Sequence, residues 1–407
     1  MCYAIPGKVI EINERVVTVD YFTERKKARN DFLQDLAPGE YVYAQGGFII
    51  QRVAEQEALS ILKTWQELFE KLKETDLRLA REPKGLHQIA NSVRQKYLGN
   101  SCCIHGIIEF SNYCRQNCLY CGIRKDNTNL TRYRMSQEEI IQACGYAINE
   151  LKFKALVLQS GEDLWYDADK LSHIVEELMR RNPVLLILSI GERDIEVYKK
   201  LYQAGARGAL LRFETSNPDL YEKYRPGRTL KERLALIKEL QAIGYLIFTG
   251  FLSGLPGEDE QDVLNDIELT HSLNPEMFSF GPFIPHPETP LKNALSPSLE
   301  STLNTIARAR ILHPEARILV TTALETLDKD QGARKGFLSG ANSLMINLTP
   351  KQYQDLYQIY PQRAGTEKEA KDKIKETLDL LTSIGRAPTD LGLENRGQPL
   401  NVEFIPP

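Results

Sequence analysis

The chain has 407 residues, 42% of them hydrophobic and 26% charged, with a formal charge of −4. That profile belongs to a globular protein with a substantial core and excludes a disordered chain or a polyanion-binding surface. No stretch approaches the length of a membrane span, and the start Met1-Cys2-Tyr3-Ala4-Ile5-Pro6-Gly7-Lys8 has neither the basic nor the apolar region of a secretory signal. The expectation is a cytoplasmic protein with no nucleic acid and no membrane as partner. Seven cysteines, three of them within eight residues, point to a metal site in a reducing compartment rather than to disulfides.

Residues 1–53 alternate as short strands at Lys8–Ile12, Val16–Asp20 and Tyr41–Ala44, separated by turn signals at Asn13-Glu14 and Pro38-Gly39. This predicts a small β-barrel, with Glu24–Arg29 as a solvated loop. Between Glu55 and Glu74 the spacing becomes helical, with Leu59, Leu62, Leu68, Phe69 and Leu72 as the apolar stripe. A shift in composition near Thr75, followed by Pro83-Lys84-Gly85, divides the chain into domains 1–75 and 76–407.

Beyond that division eight apolar runs alternate with helix-period segments: Gly106–Phe110, Ala155–Gln159, Leu185–Ser189, Ala209–Phe213, Leu246–Leu252, Met277–Gly281, Arg317–Thr321 and Ser343–Asn347. Helices begin at Ser136, Asp169, Thr229, Asp259 and Ser298, and Ser136-Gln137-Glu138-Glu139 reads as a capping box. Eight βα units predict an α/β chain with a (βα)8 TIM barrel, whose active site lies at the C-terminal ends of the strands. The small N-terminal domain is read as OB-like. Ser160-Gly161-Glu162, Glu214-Thr215-Ser216, Pro256-Gly257 and Thr322 all follow such ends.

Cys114-x3-Cys118-x2-Cys121 follows the first strand. Closely spaced thiolates select iron–sulfur clusters or zinc. No further Cys or His follows closely enough to complete a zinc site in the same loop. Three thiolates on a [4Fe–4S] cube leave one iron open, as chelation by the amino and carboxylate groups of S-adenosylmethionine (SAM) requires. The motif is similar to that of radical SAM enzymes, in which the aromatic before the third cysteine, here Tyr120, packs near adenine.

Ile107–Asn112, Arg132–Met135, Leu158–Asp163, Leu211–Thr215, Gly281–Leu291, Gly340–Asn342 and Tyr357–Pro361 resemble the HydE family, radical SAM maturases of [FeFe]-hydrogenase, over residues 85–400. The resemblance implies that Ser160, Gly161 and Glu162 meet the methionyl ammonium, that Glu214 contacts SAM, and that Arg233 pairs with its carboxylate. It places Gly254-Leu255-Pro256-Gly257 near adenine and Thr321, Thr322, Met345, Tyr357 and Tyr360 at the substrate end. It also implies cleavage of SAM to a 5′-deoxyadenosyl radical and an iron-fragment or other small-molecule substrate. A reductant such as ferredoxin or flavodoxin and other hydrogenase maturases are the expected partners. His105 and Phe213 depart from the Arg and His usual in that family. Methylornithine synthase and biotin synthase share the barrel; the latter needs cysteines on later strands that are absent here.

Met1–Val9, Pro38–Val42 and Gly46–Ile50 resemble HypC, the iron-carrying chaperone of [NiFe]-hydrogenase maturation. That likeness implies Cys2 as an iron carrier, with Gln45 standing where HypC usually has His. The combined reading is a radical SAM enzyme acting on a cysteine-bound iron carbonyl cyanide fragment. Its alternatives are an amino-acid mutase or lyase resembling methylornithine synthase, and a non-catalytic iron metallochaperone.

Overall fold

A computed structural model describes residues 4–22, 24–81 and 84–391. Alternating side chains drive the first unit: β1 (Pro6–Asn13), β2 (Val16–Asp20), β3 (Arg25–Arg29), β4 (Tyr41–Gln45) and β5 (Phe48–Val53) close into a barrel in the order β1-β2-β3-β5-β4, with β4 returning to β1. The segment expected as a charged loop is therefore a strand. β3 pairs with β2 along its whole length, from Val16 opposite Arg29 to Asp20 opposite Arg25. Ala28 is buried while Arg25 and Lys27 stay in water, so the period of two was hidden because only one inward residue is apolar.

The β4–β5 turn uses Gly46 (φ 55°) and Gly47 (φ 77°), both in the left-handed region. A Cβ on Gly46 would lie 2.8 Å from Leu246 and 2.9 Å from Leu185, because the hairpin tip presses on the base of the larger barrel. Phe48 and Ile50 form one apolar cluster with Ala155, Val157, Leu185, Ile187, Phe248, Met277 and Leu319. Around this plug, Asp31 accepts from Arg29 (2.7 Å) and Arg207 (2.8 Å), joining the units by a largely buried ionic knot.

Helix α1 (Glu55–Ala80) runs without interruption through residue 75. Of its expected stripe, Phe69 and Leu72 are buried, but Leu59 is 50% exposed, because the first turn faces the barrel with its neighbour Ala58, which packs among Tyr41, Tyr43 and Val53. Arg94, fully buried on α2 (Leu86–Leu98), clamps Asp76 of α1 through two hydrogen bonds of 2.7 and 2.8 Å.

The second unit carries β6 (Cys103–Ser111), α3 (Gln137–Asn149), β7 (Ala155–Ser160), α4 (Ala168–Arg181), β8 (Leu185–Ser189), α5 (Ile195–Ala204), β9 (Gly208–Leu210), α6 (Pro218–Tyr224), α7 (Leu230–Ile243), β10 (Leu246–Thr249), β11 (Leu252–Ser253), α8 (Glu260–Ser272), β12 (Met277–Phe278), β13 (Gly281–Pro282), α9 (Leu299–Leu312), β14 (Leu319–Val320), α10 (Thr322–Leu327), α11 (Gly332–Leu338), β15 (Ser343–Asn347), α12 (Lys351–Gln354) and α13 (Ala370–Ser383). Its parallel sheet runs β12-β10-β9-β8-β7-β6-β15-β14. A bridge between Phe278 and Ile318 joins the two edges, making the eight-stranded barrel near-closed.

All eight expected runs carry barrel strands, although several are shorter. The fifth breaks at Gly250, where a Cβ would sit 2.3 Å from the carbonyl oxygen of Ser279; it resumes as β11, paired with β13 above the barrel. Ser136, Thr229, Asp259 and Ser298 are N-caps, and Ser136 with Glu139 forms the capping box. The second helix starts one residue before the expected Asp169, because Asp167 rather than Asp169 caps it by accepting from the Lys170 N–H.

Candidate active site

A chamber of about 330 Å³ opens at the C-terminal ends of the strands. Most of the expected barrel residues line it: Cys114, Cys118, Cys121 and Tyr120 from the loop after β6; Ser160, Gly161 and Glu162 after β7; Glu214 after β9; Arg233 from α7; and Thr321, Thr322, Met345, Tyr357 and Tyr360 from later segments; the Gly254–Gly257 turn expected near adenine does not. Cys2 lies outside the described residues.

The cysteine loop is held by its own polar groups. Arg132 donates to the carbonyls of Ile123 (2.9 Å), Arg124 (2.7 Å) and Asn127 (3.1 Å), and the Asn112 amide donates to those of Thr131 and Leu356. Gly161 lets the end of β7 touch this loop: a Cβ there would lie 2.2 Å from the Tyr113 carbonyl oxygen and 2.8 Å from the Cys114 Cβ. Burial pushes the Cys114 thiol up to about 11 and raises Cys118 and Cys121 as well. Bound iron reverses that penalty by supplying the positive charge a thiolate needs. Among the described residues no three His, Cys, Asp or Glu side chains converge on a single ion. The donor set on one preformed loop, three thiols and no fourth, fits a four-iron cube with one open iron.

Beside the thiols lies a buried ionic group. Glu162 accepts from the Gln116 amide (2.5 Å), the Arg115 guanidinium (3.1 Å) and the Glu192 N–H (2.9 Å). Burial, the largest influence, pulls its pKa upward, yet these hydrogen bonds and the cations Arg233 and Arg225 hold the carboxyl below its ordinary value. Arg233 is only 3% exposed, so it does not occupy the solvated face of its helix; it pairs with Glu192 at 2.9 Å. Arg225 and Arg228 approach the same Glu192 at 3.6 and 3.4 Å. Glu214 holds φ at +69°, a strained conformation for a non-glycine residue, and its carboxylate pairs with Arg212 at 2.8 Å.

Deeper in the chamber the fully buried Glu109 accepts from Arg363 and from the Asn347 amide (2.9 Å). Sequence reasoning missed Glu109, Arg363, Glu192, Arg225 and Gln116. Glu192, three residues beyond the third strand's run, and Gln116, inside the cysteine motif, carry a positional signal; the others become neighbours through tertiary closure. Gly254 and Gly257 have φ of +81° and +96°, as the expected tight loop requires. Phe213 packs against Phe251 in the apolar core, so the departure there does not touch the chamber wall. His105 lies below the chamber, three percent exposed.

These features define a radical SAM barrel, and the comparisons agree. Residues 108–270 match the Radical SAM superfamily, residues 279–390 the Biotin and Thiamin Synthesis associated domain, and residues 1–65 the HupF/HypC family. The "[FeFe] hydrogenase maturase subunit HydE" of Thermotoga maritima is 41% identical over 75% of this chain and 87% of its own. The 3-methylornithine synthase of Methanosarcina acetivorans is 29% identical over 75% of this chain and 86% of its own. The crystal structure of methylornithine synthase (PylB) superposes with a TM-score of 0.66 at 25% identity, covering 79% of this chain and 97% of that one. HydG from Carboxydothermus hydrogenoformans shares the fold alone, with a TM-score of 0.62 at 21% identity over 80% and 78% of the two chains. The chain belongs to the HydE family of radical SAM enzymes, and it carries a HypC-type domain at its N-terminus.

Proposed function

We propose that this enzyme is a hydrogenase maturase that binds a [4Fe–4S] cluster at Cys114, Cys118 and Cys121 and acts on a cysteine-bound iron carbonyl cyanide fragment. The observation carrying this reading is the meeting of the three-cysteine loop with the buried carboxylate–guanidinium group in one chamber, on a chain 41% identical to a HydE. When bound, the cluster supplies the electron that splits SAM into methionine and a 5′-deoxyadenosyl radical. The protein's own part is to bind and orient. Ser160, Gly161 and Glu162 receive the ammonium of SAM, Arg233 its carboxylate in place of Glu192, and Tyr120 its adenine; Glu214 contacts SAM from the segment after β9. A guanidinium fork suits a carboxylate because two parallel hydrogen bonds fix its orientation. Thr321, Thr322, Met345, Tyr357 and Tyr360 form the substrate end, from which burial excludes water.

In this reading residues 1–75 carry an iron fragment through Cys2 and residues 76–407 transform it. Electrons come from a ferredoxin or flavodoxin, other maturases receive the product, and the work is done in the cytoplasm. Among the described residues no helix is long and apolar enough to cross a membrane. The test is anaerobic reconstitution, followed by product analysis with SAM and a synthetic iron–cysteine carbonyl cyanide complex. Formation of 5′-deoxyadenosine and methionine without change in the complex would remove this substrate. The similarity to methylornithine synthase supports a second reading, an amino-acid mutase or lyase, and detection of 3-methylornithine among the products would favour it.

A further inference from the structure

In the buried ionic group beside the thiols, guanidinium groups outnumber the carboxylates that could pair with them. Arg115 lies 3.1 Å from Glu162, Arg212 lies 2.8 Å from Glu214, and Arg233 and Arg228 lie 2.9 and 3.4 Å from Glu192. Arg225 reaches these carboxylates only at 3.6 Å (Glu192) and 4.0 Å (Glu162), both beyond hydrogen-bond distance. It lines the chamber, is 5% exposed, and has a buried Nε with no hydrogen-bond partner. A guanidinium taken out of water without a close partner is costly, so this position calls for an anion.

We infer that Arg225 sets the reduction potential of the cluster proposed at Cys114, Cys118 and Cys121, its buried cation favouring the reduced state. The inference rests on the radical SAM reading of the chamber and assigns a role to a residue that reading leaves unused. Two observations put Arg225 on the cluster side of the ionic group. The Leu119 N–H, one residue after Cys118, donates to the carbonyl of Tyr224, one residue before Arg225, at 2.9 Å, which ties the two segments together. Of the charged groups around Cys118, Arg225 acts most strongly on its sulfur.

Reduction moves one electron from a low-potential carrier to the cluster core, transfers no proton and breaks no bond to the thiolates. A core of charge 2+ held by three thiolates has one net negative charge before that step and two after it, so a neighbouring cation stabilises the product more than the reactant. Glu162, Glu192 and Glu214 act in the opposite sense, but each has a closer arginine of its own, and the surplus charge is that of Arg225. Its N–H groups also suit cluster sulfurs, and hydrogen bonds to sulfur shift the potential in the same direction by drawing off negative charge.

The test is an anaerobic redox titration of the reconstituted full chain with dithionite and mediator dyes, followed by electron paramagnetic resonance and run without SAM. Arg225→Met should make reduction about tenfold less favourable, a potential lower by about 59 mV for one electron, and Arg225→Lys should restore most of the difference. Water let in by a merely structural disturbance would instead stabilise the more highly charged reduced cluster and move the potential the other way. A potential that stays or rises in Arg225→Met overturns the inference; if SAM affinity falls at the same time, Arg225 is a second cation for the SAM carboxylate. Should Arg225→Met take up no cluster, Arg225→Gln and Arg225→Lys decide in the same way, a lower potential in Gln alone supporting the inference and equal potentials rejecting it. A parent chain that takes up no cluster defeats the radical SAM reading itself, whereas a cluster whose potential ignores residue 225 defeats this inference alone.

Discussion

Replacing Glu109 by Gln should destabilise this protein more than any other isosteric change at the chamber wall. The carboxylate is fully buried and is held by both Arg363 Nη atoms and by the Asn347 amide, while Arg363 also donates to the Tyr357 carbonyl (2.7 Å). Glutamine preserves the shape but leaves the Arg363 cation, 8% exposed, without a counter-charge. Breaking a buried pair from one side costs about 3–5 kcal/mol, because the surviving charge loses its compensation and cannot recover hydration. For 407 residues the unfolding entropy near the midpoint is about 0.85 kcal/mol/K, so the cost corresponds to about 4–6 °C in Tm if the chain melts as one unit. Differential scanning fluorimetry, with urea unfolding as the check on ΔG, measures it. The double variant Glu109→Gln, Arg363→Met should recover most of the loss, since no charge is then stranded. A single-variant cost below about 1 kcal/mol, or strict additivity in the double variant, would show that water reaches the pair and that this ion pair does not fix the Tyr357–Tyr360 segment to β6.

Arg233→Ala should weaken SAM binding about thirty- to a thousandfold, as expected for a lost desolvated bidentate contact worth roughly 2–4 kcal/mol, with the cluster spectrum retained; unchanged affinity by calorimetry would assign Arg233 to the Glu192 pair alone. Reconstituted protein should hold a single [4Fe–4S] cluster, and an alanine triple variant at Cys114, Cys118 and Cys121 should hold none; iron and sulfide analysis giving about eight irons per chain would refute this. Burial raises the Glu258 carboxyl to about 8, against an ordinary value of 4.5, so the folded state binds the extra proton between those limits and Glu258 makes stability fall as pH rises through that window. Glu258→Gln should flatten the loss of Tm between pH 6 and pH 8, and an unaltered pH profile would place water against that carboxyl. Cys2→Ser should leave SAM cleavage intact while shifting or abolishing the infrared Fe–CO and Fe–CN bands of a captured fragment; bands insensitive to both Cys2→Ser and Gln45→His would end the carrier role.

What the sequence determined by itself was everything governed by short-range rules. The cysteine spacing marked the three-thiol loop that lines the chamber, period-two and period-3.6 patterns located the eight βα units, and Ser136, Thr229, Asp259 and Ser298 announced their helices through the capping chemistry of their own side chains. These signals are legible because each operates within a few residues. The β3 strand was illegible for the converse reason: Arg25 and Lys27 remain in solvent, Ala28 is its one buried residue, and only pairing with β2 reveals its register. Tertiary structure alone decided that Glu109 meets Arg363, 254 residues away, that Glu192 collects three arginines, and that the Gly46–Phe48 hairpin tip seals the base of the barrel. A buried charge carries no sequence signature of its partner, because Coulomb attraction and desolvation depend on distance in space and on local dielectric, and only closure of the barrel sets those.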